Sequence, residues 1–213
     1  MDKNYWNDIY WEKHFKEDDL ERIEDFWIEK YLEYFPTPSK CVKILDLGSG
    51  VGQYADYFEK KGYTVSACDI SSKALDYLKM KNKNIKTVLQ DMSESLKFFD
   101  DEFDIVFANL SIHFFSEEET KKLLSEIKRI LKPSGLFIGS VNSTSAYNYI
   151  KEHAIKIEEN FYNSKGRTVR LWDEKSFSFF FQEFEKVVLV ELIEERFQKQ
   201  KNKWEFIFRK RDC

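Results

Sequence analysis

Cysteine and histidine are scarce in this 213-residue chain, with three of each. Cys41, Cys68 and Cys213 are scattered and form no C-x-x-C pair. A structural zinc site is therefore not expected, and free thiols suit a reducing cytoplasm. No apolar run approaches the length of a membrane span. The N-terminus has no basic region followed by an apolar core, so no secretory signal is expected. An excess of positive charge is also missing. The 34 Lys and Arg are outnumbered by 38 Asp and Glu, giving a net charge of −4, and the two signs are interspersed. A protein that grips a phosphate backbone carries a basic footprint, so a nucleic-acid substrate is not expected. The chain has no G-x-S-x-G elbow, no H-E-x-x-H helix and no lysine after its glycine-rich turn. Hydrolase, zinc-protease and P-loop chemistries lack their residues.

What is present is the composition of a soluble globular protein, 42% hydrophobic and 34% charged, long enough for one domain with a full core. Aromatic residues are abundant, and ten of them fall within the first 35 residues, a section read as mostly helical and ended by Pro36-Thr37-Pro38. Strands and helices then alternate. Strands are expected at residues 42–47, 63–68, 85–90, 103–109 and 136–141. Helices are expected at 52–61, closed by Gly62, at 71–80 behind a serine cap, and from the capping box Ser116-Glu117-Glu118-Glu119 to about 131. Residues 103–109 form a nearly continuous apolar run, as a strand covered on both faces requires. Repeated β-α units of this length predict an α/β fold, a doubly wound, mostly parallel sheet. Asp173 is placed to cap a helix over 174–181. Two late strands, 186–193 and 203–209, predict an antiparallel hairpin at one sheet edge.

The segment Ile44-Leu45-Asp46-Leu47-Gly48-Ser49-Gly50-Val51-Gly52-Gln53 carries the strongest signal. It reads as a buried strand, a glycine-rich turn and a helix start. Glycines at alternate positions let backbone pass close to a ligand, and the free amides of the helix start face a polar or anionic group. The second strand ends at Asp69, whose carboxylate can accept two hydrogen bonds from a ribose diol. Gly48 and Gly50 fit the dinucleotide pattern G-x-G-x-x-G, but position 53 is Gln and an acid precedes the turn.

The run Asp46-Leu47-Gly48-Ser49-Gly50-Val51-Gly52 resembles the first motif of class I S-adenosylmethionine (SAM)-dependent methyltransferases. The resemblance implies a seven-stranded Rossmann-like fold whose last strand inserts antiparallel beside the fifth. It also implies SAM as cofactor and S-adenosylhomocysteine as product. Asp46, Gly48, Ser49, Gly50 and Gly52 would form the turn around the cofactor's amino-acid end, and Asp69 would hold the ribose. Ile70 would pack on the adenine, with Asp91 and Met92 at its amino group and ring nitrogen. Asn109 opens the segment after the fourth strand, Asn109-Leu110-Ser111-Ile112-His113-Phe114-Phe115. That segment lacks the Pro-Pro-aromatic motif of nucleic-acid amino methyltransferases and is similar to the His-containing segments of small-molecule methyltransferases. The tail is similar to tellurite-resistance-like and uncharacterised small methyltransferases.

The strand termini are expected to converge on one crevice. His113 is read either as the group that orients or deprotonates a nucleophile or as a histidine satisfied by local hydrogen bonds. Residues 1–38 are read as an N-terminal cap and 40–142 as the cofactor-binding core. Residues 143–172 are read as a substrate lid and 173–213 as the closing helix and strands, all in one domain. Tyr10 and Tyr147 are the aromatic residues chosen for substrate contact, the others being read as core. Arg167 and Arg170 either pair an anionic substrate or lie on the surface, and the surface is favoured. The resemblance implies in-line transfer of a methyl group to a small-molecule acceptor, with no metal, by a cytoplasmic monomer or homodimer. A methyltransferase acting on RNA or protein, or a SAM-binding protein without catalysis, are the alternatives.

Overall fold

The computed structural model describes residues 5–13, 26–145, 148–164, 166–196 and 199–211. The chain divides into two compact units, residues 2–91 and 92–213. Ten strands are named in chain order. Seven of them form one sheet of order β3-β2-β1-β4-β5-β10-β9, and the other three form a small sheet, β6-β7-β8.

In residues 2–91, β1 (Lys43–Leu47), β2 (Thr64–Asp69) and β3 (Lys86–Leu89) pair in parallel. β1 and β2 are buried along most of their length, as helix-covered parallel strands must be. Helix α1 (Gln53–Lys60) buries Tyr54, Ala55, Tyr57 and Phe58; α2 (Ser72–Lys81) buries Ala74, Leu75 and Leu78. Ser71 caps α2 by accepting from the Ala74 amide at 3.2 Å. The register Leu47↔Cys68 and Asp69↔Leu89 brings the carboxyl ends of all three strands to one edge. The N-terminal section is less regular than expected. Tyr5–Trp11 is a π-type turn and Trp27–Tyr34 a 3-10 helix. Aromatic packing overrides helical periodicity here: Phe26 stacks on Tyr57 at 4.3 Å between ring centroids.

In residues 92–213, β4 (Phe103–Asn109) runs parallel to β5 (Leu131–Asn142). The capping box of α3 (Glu117–Ile130) is formed as read, with Ser116 and Glu119 each accepting from the other's amide. β5 starts earlier than expected: Leu131 already pairs with Phe103, and the ladder shifts register before Ile105. Residues 143–172 are not an irregular loop. They hold α4 (Asn148–His153) and an antiparallel meander of β6 (Ile155–Glu158), β7 (Phe161–Ser164) and β8 (Arg167–Arg170). Asp173 caps α5 (Glu174–Phe180) by accepting from the Ser176 amide. The closing hairpin is β9 (Phe184–Arg196) and β10 (Lys199–Lys210), with β10 antiparallel to both β5 and β9. Phe177 of α5 and Phe181, its C-cap, pack on Phe206 and Phe208 of β10. Among the described residues, no helix is long and apolar enough to cross a membrane.

β10 lies against β5 at Gly139, which pairs with Phe206. A Cβ at position 139 would stand 2.6 Å from Phe206 Cζ and would overlap the Ala108 carbonyl oxygen. Gly139→Ala is expected to cost about 1–3 kcal/mol through overpacking, read as a lower urea midpoint at unchanged slope. An unchanged midpoint would mean that β10 is not held this closely.

Candidate functional site

The glycine turn follows β1 because three successive features stop the strand and start α1. The Gly48 and Ser49 amides both donate to the Cys68 carbonyl, at 2.8 and 2.9 Å, tying the turn to β2. Gly50 and Gly52 have φ of +53° and +75°, the left-handed region that side chains resist. Space forbids a side chain there as well. A Cβ on Gly50 would lie 2.6 Å from Trp11 Cζ2, and one on Gly52 would overlap the Leu78 methyl groups.

Asp69 joins the turn to the next loop. Its Oδ2 accepts from the Gly50 amide and its Oδ1 from the Ser71 amide, both at 2.8 Å. Burial pushes the Asp69 pKa up, and the Ser71, Gly50 and Ile70 amides pull against that. A carboxylate has about four lone-pair sites, so these two bonds leave acceptor capacity for a ligand hydroxyl. Asp46 is 3% exposed, and its Oδ2 has no hydrogen-bond partner among the described residues. Burial lifts its pKa to about 7, with the Ala55 amide opposing and the Asp69 charge adding. Ile70 is buried, and Asp91 follows Gln90, whose side chain donates to the Asp91 carbonyl at 2.6 Å. The residues named from the sequence in this unit, Asp46, Gly48, Ser49, Gly50, Gly52, Asp69, Ile70 and Asp91, thus lie at or just beyond the carboxyl ends of β1, β2 and β3. Tyr10, half-buried, packs edge-on against Trp6 and Trp11. The sequence groups Tyr5, Trp6, Tyr10 and Trp11 as aromatics over the cofactor, with Tyr10 chosen for substrate contact. It is Trp11 that lies on Gly50, and Asn7 that accepts from the Ser71 hydroxyl at 2.7 Å.

In residues 92–213, Met92 is buried and Asn109 ends β4, where its Oδ1 accepts from the Ser140 hydroxyl at 2.6 Å. Leu110 follows at φ +52°, with its amide donating to the Ser140 carbonyl at 3.0 Å. His113 is 5% exposed, and its Nδ1 has no hydrogen-bond partner among the described residues. Burial holds its pKa down at about 4, so the imidazole is neutral throughout the neutral range. The locally satisfied histidine that the sequence allowed is not found at Nδ1. Arg170 overturns the surface reading: it is 3% exposed and pairs with Glu158 at 2.6 Å. The carbonyls that bury it come from residues distant in sequence, which local patterning does not reveal. Arg167 is exposed, and Tyr147 lies outside the described residues.

A turn of backbone amides with no room for Cβ atoms, together with the buried Asp46 oxygen and the remaining lone pairs of Asp69, suits a ligand bearing hydroxyl and ammonium groups. Because folding raises the Asp46 pKa from an ordinary 3.8 to about 7, the folded chain keeps a proton that the unfolded chain releases in that window. The contribution of this group to stability therefore falls as pH rises from about 4 to 7 and is level above. Asp46→Asn is expected to remove that slope, so its melting temperature gains on the parent chain across the window. Parallel pH profiles would show that Asp46 does not titrate there.

A family model described as a methyltransferase domain matches residues 45–139. An uncharacterised methyltransferase of Synechocystis is 37% identical over 95 residues, 45% of this chain and 44% of that protein. The ubiquinone/menaquinone biosynthesis C-methyltransferase of Wigglesworthia glossinidia brevipalpis is 31% identical over 158 residues, 68% of this chain and 62% of that one. The chain thus spans less than two thirds of the length of these curated relatives. Among solved structures, a SAM-dependent methyltransferase of Methanosarcina mazei superposes with a TM-score of 0.76 at 20% identity, covering 88% of this chain and 99% of the other. The 1,6-didemethyltoxoflavin-N1-methyltransferase of Burkholderia thailandensis, with 1,6-didemethyltoxoflavin and S-adenosylhomocysteine bound, superposes at 0.70 and 18% identity, covering 95% and 86%. The family model speaks from sequence and the superpositions from structure: residues 45–139 match a methyltransferase domain, and the chain has the fold of SAM-dependent methyltransferases.

Proposed function

We propose that this protein transfers a methyl group from SAM to a small-molecule acceptor. The observation that carries the acceptor class is charge. With a net charge of −4 and both signs interspersed, the chain lacks the basic footprint that a polynucleotide acceptor demands. The bound heterocycle of the Burkholderia neighbour supports the same class. The free thiols, exposed Cys41 and buried Cys68, fit a reducing compartment such as the cytoplasm.

When bound, SAM supplies a methyl group already activated on a sulfonium, so the protein's work is binding, orientation and exclusion of water. In this reading Gly48, Ser49, Gly50 and Gly52 receive the amino-acid end with their backbone, and the buried Asp46 oxygen accepts from its ammonium group. Asp69 uses its remaining lone pairs on the ribose, while Ile70, Asp91 and Met92 contact the adenine. Asn109, fixed by Ser140, completes the cofactor set. Tyr10 contributes to the acceptor pocket, and Tyr147 is proposed for it on sequence alone. His113 acts as a neutral imidazole that accepts a hydrogen bond from the acceptor's nucleophile and orients it, its low pKa favouring orientation over proton removal.

Calorimetric titration should give saturable binding of SAM and S-adenosylhomocysteine and none of NAD. Asp69→Ala should weaken S-adenosylhomocysteine binding by about tenfold or more, the value of one good charge-assisted contact. Absence of binding to the parent chain would end the cofactor assignment, and unchanged affinity in the variant would end the role of Asp69. A screen following S-adenosylhomocysteine release from panels of small phenols, amines and quinols, against total RNA, then tests the acceptor class. Turnover with RNA alone would overturn it.

A further inference from the structure

Arg170 sits on the last strand of the small meander, at 3% exposure. A buried cation is costly unless its partners are well placed. Here each of the three guanidinium nitrogens donates one hydrogen bond. Nη2 donates to Glu158 Oε2 at 2.6 Å, Nη1 to the Glu159 carbonyl at 3.2 Å and Nε to the Phe115 carbonyl at 3.1 Å. Its plane lies over the rings of Phe161 and Phe180, at 4.9 and 5.2 Å. Two more bonds leave the same strand for the same loop. The Arg170 amide donates to the His113 carbonyl and the Thr168 hydroxyl to the Phe114 carbonyl, both at 2.7 Å. Three successive carbonyls, at 113, 114 and 115, are therefore all taken by β8.

Glu158 closes the other end. The Oε2 that pairs with Arg170 also accepts from the Glu117 amide at 2.8 Å, at the start of α3. The loop between β4 and α3 is thus tied at its start to Ser140, through Asn109 and Leu110, and at its end to the meander. At the first tie Leu110 adopts a left-handed φ of +52°, a conformation that persists only where surroundings impose it. An apolar residue would cover this face of the meander at lower cost. A planar donor with several N–H groups is required only if the loop carbonyls must be held in one arrangement.

We propose that Arg170 and Glu158 are positioning residues for methyl transfer: their buried pair clamps the loop that carries His113, fixing the imidazole without touching the reactants. This rests on the reading of His113 given above. The pair is the function of the meander in residues 155–170, beyond any covering role. The ion pair alone would leave the loop free to slide; the five bonds to carbonyls and carboxylate from one arginine and one threonine do not. Lysine at 170 keeps the charge but lacks the fork.

The test uses the full chain labelled at histidine Cε1, whose three imidazoles are assigned with His113→Gln. In Arg170→Met the His113 titration should move from about 4 towards the ordinary 6.5, and amide exchange at residues 113–117 should quicken at least about tenfold, with the circular dichroism of a folded protein. Arg170→Lys should restore little of either. S-adenosylhomocysteine affinity should stay within about twofold, since the glycine turn is untouched, while kcat falls on whichever acceptor the screen identifies. If Arg170→Met does not fold, Glu158→Gln carries the same readouts. A folded variant with unchanged His113 titration and unchanged exchange overturns the clamp, whatever His113→Gln does to turnover. Conversely, full turnover in His113→Gln removes the role of His113 while the exchange data still judge whether the clamp exists.

Discussion

The site depends on one carboxylate that gathers backbone from two loops. Asp69 accepts from Gly50 on one side and Ser71 on the other, so the turn after β1 and the cap of α2 cannot move independently. Ser71 in turn caps α2 with its hydroxyl oxygen and donates to Asn7, which brings the N-terminal turn into the same network. The geometry of the glycine turn is thus held by side-chain chemistry at the end of the neighbouring strand. Parallel pairing supplies the proximity: the register that sets Leu47 opposite Cys68 leaves the acid one residue beyond, level with the turn.

Elements whose causes are local were legible in the sequence. The caps at Ser71, Ser116 and Asp173 were readable because a short polar side chain two or three residues from a free amide needs nothing else. The buried strands were readable from their apolar runs, and the closing hairpin from two such runs in succession. The N-terminal section was less so, because dense aromatic residues pack in more than one way and here produce 3-10 and π-type turns. The small meander was missed for another reason. Its strands are four residues long, too short to show a period, and what makes them a sheet is their pairing with each other.

The candidate site divides along the same line. Asp46, the glycines and Asp69 announce themselves by spacing. The partnerless oxygen of Asp46 does not, because it depends on how completely the strand is covered. Arg170 is the clearest case. An arginine in a polar stretch reads as a surface charge, and it takes the Phe115 carbonyl, from a loop more than fifty positions earlier, with Glu158 and the Glu159 carbonyl, to make it a buried one.

The place of β10 in the sheet has a consequence for how the chain is made. β5 finds its antiparallel neighbour only when Lys203 can reach Asn142 and Arg209 can reach Leu136. Until that stretch has left the ribosome, the backbone N–H and C=O groups along one side of β5 have no strand to pair with, while β9 is synthesised first. The nascent chain must therefore wait with an unpaired apolar edge, the condition in which sheets most readily recruit foreign strands.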